Sequence, residues 1–79
     1  MRVEELSGVD ARVYQAIAEL EDDAVSPRLA DIARHTGLSA EEARAAVHRL
    51  LHTEPKILHE VPDPDRTDLG PFYELAPRV

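Results

Sequence analysis

Between Thr36 and Glu42 the chain reads "TGLSAEE", and this stretch restricts the fold more than any other part of the sequence. Gly37 suits the left-handed conformation that stops a helix, and Ser39 followed three residues later by Glu42 is a capping box that starts one. A helix must therefore end and another begin within a few residues. On the upstream side Ser26 can cap, Pro27 suits a first helical position, and Leu29, Ile32 and Ala33 form an inward face, predicting a helix over about 27–36. On the downstream side Ala43, Ala46, Val47, Leu50 and Leu51 gather on one side of a helix over about 40–52. That register leaves Glu41, Ala45, His48 and His52 pointing outward, with Arg44 and Arg49 on the flanks.

Ahead of this pair, "LSGVDARVYQAIAEL" places Leu6, Val9, Val13, Ile17 and Leu20 at helical spacing, with Ser7 as N-cap and Asp10 in capping-box position. The predicted helix, about 8–21, fades where Glu21, Asp22 and Asp23 meet the negative end of the helix dipole. After Pro55, which forbids helix continuation, the pattern becomes extended: "KILHEV", the ten-residue "PDPDRTDLGP", then "FYELA". Two strands over about 56–61 and 72–76 make a hairpin with a wide tip. Tyr73 and Leu75 share one face, and Phe72 and Glu74 the other. The predicted class is α+β, mainly α: three helices and a C-terminal two-stranded hairpin in one domain, 1–79.

Composition sets limits on partners. A chain of 79 residues buries only roughly 60% of the surface its unfolded form exposes, and without cysteine it relies on Leu, Ile, Val and Ala rather than disulfides or thiolate metal sites. No stretch has the apolar length of a signal peptide or membrane span, which fits a cytoplasmic protein. Sixteen acids against nine bases give −7, with one lysine among the bases. No segment is basic: residues 1–38 carry eight acids and four bases, 39–68 seven and four, and 69–79 one of each. A non-specific polyanion binder is the wrong picture.

The order helix, short extended link at Val25 to Pro27, helix, "TGLS" turn, helix and two-stranded wing resembles the winged helix-turn-helix family, and is similar to the DNA-reading heads of MarR-like and related prokaryotic regulators. The resemblance runs from about Leu6 to Leu75 and rests on "LADIARHTGLSAEEARAAVHRLL", with Ala33 and Gly37 at the small positions, and on "DPDRTDLGPFYEL" as a returning wing. It implies double-stranded DNA as partner. Base-edge contacts would come from Ala40, Glu41, Arg44, Ala45 and His48, and phosphate contacts from Arg28 and from Arg66 in the wing, with Ser39 also among the DNA-binding positions. Arg44 is the permanent cation among the base-reading positions, with Glu41 three residues before it as a possible ion-pair partner.

The same residues support a second reading. Arg66 stands among Asp63, Asp65 and Asp68, and winged helices also serve as docking modules, so an acidic protein-interaction module meeting a basic protein partner, or a nucleic-acid mimic, is the alternative. A surface adapted to high salt would also be rich in acid. His48 and His52, four residues apart, could take zinc or another transition metal with His59 or a carboxylate as third ligand, although His52 also suits the end of its helix. Tyr14, Phe72 and Tyr73 read as packing aromatics. With no thiol, no glycine-rich phosphate loop and no nucleophile beside an evident base, the sequence predicts no enzyme and no cofactor. It predicts no membrane partner, and a monomer or weak homodimer.

Overall fold

A computed structural model of the chain describes residues 8–76. Three helices are followed by a two-stranded antiparallel hairpin: α1 Gly8–Asp22, α2 Leu29–Thr36, α3 Ala40–Leu51, β1 Leu58–Val61 and β2 Phe72–Leu75. A 3-10 turn, Thr67–Leu69, stands inside the hairpin loop. The arrangement is the mainly helical α+β class with a β wing that the sequence predicts. Its ends agree with the predicted ones to within one residue, except that α2 and β1 each begin two residues later, at Leu29 and Leu58.

The core is built where the apolar periodicities meet. Val13, Ala16 and Ile17 of α1, Ile32 of α2, and Ala43, Ala46, Val47 and Leu50 of α3 are all buried, together with Leu58 of β1 and Tyr73 of β2. Ala43 and Ala46 have no side chain beyond Cβ to hold neighbouring helices apart, so α3 packs closely against both α1 and α2. The strands pair Leu58 with Leu75 and Glu60 with Tyr73, which places Tyr73 inward and leaves Glu74 exposed.

Helix ends follow their local chemistry. The Ser39 hydroxyl accepts from the Glu42 amide at 3.1 Å, and the Glu42 carboxylate accepts from the Ser39 amide at 3.2 Å, completing the capping box at α3. Gly37 ends α2 at φ +77°, its amide donating to the Ala33 carbonyl. The end of α1 uses the two-bond form of left-handed cap: the Ala24 amide donates to Glu21 and the Val25 amide to Leu20, with Ala24 at φ +62°. Here a residue with a Cβ occupies a position that favours glycine.

The start of α2 departs from the sequence expectation. Pro27 is buried in an extended link rather than at the first helical position, and its carbonyl accepts from the Tyr73 amide at 2.9 Å. Ser26 also lies in that link, so the helix is opened instead by Asp31, whose carboxylate accepts from the Arg28 amide at 3.0 Å. The reason is the hairpin. The Pro27 carbonyl is turned to the Tyr73 amide of β2, and the opening backbone bond of α2 runs from the Ile32 amide to the Arg28 carbonyl.

Asp10 also has a larger role than the expected cap. Leu6 and Ser7 lie outside the described residues, but the Asp10 side chain is 2% exposed and takes Arg49 of α3 in a two-pronged pair. Arg49 Nε donates to both carboxylate oxygens at 3.0 and 2.9 Å, and Nη2 donates at 2.7 Å. A buried carboxylate with this many charge-assisted bonds is satisfied, and it fixes the register between α1 and α3.

Two stability outcomes follow. Leu50→Ala, at a fully buried position, costs about 2 to 5 kcal/mol in urea unfolding, and a loss under roughly 0.5 kcal/mol would remove Leu50 from the core. The two left-handed caps respond in opposite directions: Gly37→Ala destabilises by about 1 kcal/mol, whereas Ala24→Gly is neutral or stabilising. Melting temperatures moving the same way for both would contradict the cap assignment.

Candidate nucleic-acid interface

On α3 the buried strip fixes what faces outward. Ala40, Glu41, Arg44, Ala45, His48, Arg49 and His52 are exposed, as the helical register predicts. Ala45 forms the floor of a shallow depression walled by Glu41, Arg44, His48 and Arg49, its neighbours one, three and four residues away along the helix. Ser39 lies just before this surface, and its hydroxyl is already engaged as the cap.

Arg44 makes no ion pair or hydrogen bond among the described residues, so the possible pairing with Glu41 is not formed. Its charge is still felt at the Tyr73 phenol. Burial pushes that phenol's pKa up, Glu60 adds to the rise, and Arg44 offsets part of it. The remaining described arginines all have partners. Arg12 donates to the Thr36 carbonyl at the end of α2, Arg34 pairs with Asp31, and Arg49 with Asp10. The hydrogen bonding it donates to Asp10 is also the main reason the Arg49 guanidinium is held more firmly protonated than an ordinary arginine.

The two arginines expected to meet phosphate sit in different places from those at α3. Arg28 is turned into the hairpin loop. Its Nη2 donates to Asp63 at 2.5 Å, its Nη1 to the Gly70 carbonyl at 2.7 Å, and its guanidinium lies 4.0 Å from the centre of the Phe72 ring. Only 16% of its side chain is exposed, so both outer nitrogens are already committed. Arg66 is exposed at the loop and reaches Asp68 at 3.4 Å, a long contact between two well-solvated groups. The structure thus groups Ala40, Arg44 and His48 on α3 with Ser39 at its cap, and places Arg28 inside the base of the wing.

His48 and His52 stack obliquely, ring centres 4.6 Å apart, and His52 Nδ1–H donates to the His48 carbonyl at 2.8 Å. That bond ties the His52 ring to the end of α3. No three His, Asp or Glu side chains among the described residues are positioned to hold a metal ion. No helix of the described residues is long and apolar enough to cross a membrane.

Sequence reasoning missed Arg49 and Asp10 as a pair, and missed the inward turn of Arg28. One signal was present for the first. Asp10 precedes Val13 and Ile17 by three and seven residues, so it lies on the apolar strip of α1, where a carboxylate requires a partner. Comparison with protein-family models, curated proteins and solved structures finds no match to this chain.

The Arg28 contact carries a pH signature. The hydrogen bond from Arg28 holds the Asp63 carboxyl below the usual carboxylate range, helped by the Asp65 and Arg66 amides and opposed by desolvation. A carboxyl depressed in the folded state contributes stability above its unfolded pKa, and loses it as pH falls through the folded value. Asp63→Asn should therefore lower stability at neutral pH and flatten the acid limb of a urea-stability profile. An acid limb unchanged by this substitution would show that the pair does not support the wing.

Proposed function

We propose that this chain is a small winged helix-turn-helix DNA-binding protein, a transcriptional or mobile-element regulator acting in the cytoplasm as a monomer or weak homodimer. The observation that carries the reading is the outer face of α3. It presents Ala40, Arg44, Ala45 and His48 together as exposed residues, and leaves Arg44 without a partner among the described residues while Arg28, Arg34 and Arg66 are paired with carboxylates. A guanidinium with its fork free can make the two-bond contact to guanine in a major groove, and the small Ala45 leaves room for a thymine methyl. Arg28 then acts on DNA indirectly, by fixing where the wing stands. Few phosphate contacts remain, so discrimination comes from base edges, and affinity depends only modestly on salt.

A specific observation favours the acidic interaction module as second reading. Both expected phosphate cations face carboxylates, Arg28 at Asp63 and Arg66 at Asp68, and the chain carries −7 overall. Such a surface suits a basic protein partner.

An NMR amide titration of labelled protein with mixed-sequence duplex DNA, at low and then at physiological salt, separates the two. Shifts gathered on residues 39–49 support the DNA reading. No shift at low salt, where phosphate attraction is strongest, rejects it and favours the protein partner. Once a preferred site is found, Arg44→Ala weakens it by about 1 to 3 kcal/mol while leaving the melting temperature nearly unchanged. An unaltered affinity would mean that α3 is not the reading element.

A further inference from the structure

Arg49 combines two properties found together in none of the other described arginines. One edge of its guanidinium, Nε and Nη2, is held by a carboxylate that is itself 2% exposed, yet the Arg49 side chain as a whole is 45% exposed. Its Nη1 has no hydrogen-bond partner among the described residues, and Arg49 forms one wall of the depression over Ala45. Arg28 is the instructive contrast, since both of its outer nitrogens are occupied and it is 16% exposed.

We propose that Arg49, aimed by Asp10 across the α1–α3 contact, is the residue of α3 that contacts a DNA backbone phosphate, with Asp10 as its positioning residue. The proposal rests on the DNA reading and supplies what that reading lacks, a phosphate anchor to replace Arg28. Three physical points support it. A free arginine loses rotamer entropy when it binds, whereas Asp10 already fixes this guanidinium and presents its remaining N–H groups without that cost. Asp10 lies behind the guanidinium, so a phosphate oxygen at Nη1 is closer to the positive charge than to the carboxylate, and net attraction survives. Glu41, the acid in the same depression, is eight residues away, about 12 Å along the helix axis, which exceeds the screening length at physiological salt. Arg49 therefore fixes the position of α3 against the backbone, while Arg44 on the other flank reads bases.

The test is the salt dependence of binding to a short mixed-sequence duplex, followed by fluorescence anisotropy. The variant is the double substitution Asp10→Asn with Arg49→Gln, which removes one acid and one base and leaves net charge unaltered. It retains hydrogen-bonding groups on both sides, and a thermal melt checks that it folds. Loss of one phosphate contact reduces the slope of log affinity against log salt by about 0.9. A folded double variant with the slope of the original protein overturns the proposal and makes the pair purely structural, leaving the DNA reading intact. An original protein that does not bind at the lowest salt overturns both together. Arg49→Lys provides a second arm should the double variant not fold. Its single ammonium cannot hold both Asp10 oxygens and also reach outward, so affinity falls roughly five- to tenfold, and unaltered affinity overturns the proposal.

Discussion

One guanidinium holds the hairpin against the helices. Arg28 stands at the entrance to α2, binds Asp63 on one side of the wing loop and the Gly70 carbonyl on the other, and covers the Phe72 ring where β2 begins. β2 is then fastened from further directions: its Tyr73 amide donates to Pro27, and its Leu75 amide donates to the Glu21 carboxylate at 2.9 Å. A two-stranded hairpin alone is marginally stable in water, so these tethers allow so short a wing to have a defined position. They also explain Glu21, an acid badly placed for the dipole of α1 but well placed for an amide of β2.

The elements governed by neighbours within four or five residues were legible in the sequence. Gly37 as a left-handed stop, the Ser39–Glu42 capping box, the buried strip of α3 and the opposite faces of Tyr73 and Glu74 all follow from spacing alone, although spacing does not say which face of the hairpin is inward. What escaped depends on distant partners. Asp10 meets Arg49 across 39 residues and Arg28 meets Asp63 across 35, and nothing in the local pattern marks which acid belongs to which arginine. Pro27 misled for the same reason: its ring suits a helix start, but its carbonyl is required by β2. In the candidate interface, the exposed positions of α3 could be read from periodicity, whereas the difference between an available and an occupied arginine could not.

This difference changes what an acidic charge count means. Opposite charges here are arranged in pairs that carry structure, Asp10 with Arg49 between helices and Asp63 with Arg28 between helix and wing. Arg44, outside these pairs, occupies the same helix surface as the first-turn glutamates and keeps it from being wholly negative. Glu41 and Glu42 stand in the first turn of α3, where they complement the helix N-terminus, and the basic groups follow toward its C-terminus. The face is graded along its axis rather than uniformly acidic.

The tether from Tyr73 to Pro27 also bears on how the molecule behaves when crowded. One edge of β2 is paired with β1 and the other with the link before α2, so among the described residues only the outer edge of β1 remains open to an added strand. That edge is four residues long, contains the exposed Glu60, and runs into Pro62, which has no amide to donate. Exposed strand edges are where like chains join into aggregates, and short length, charge and proline are the usual protections against it. A carbonyl borrowed from a linker thus leaves the wing with little backbone for edge-to-edge self-association.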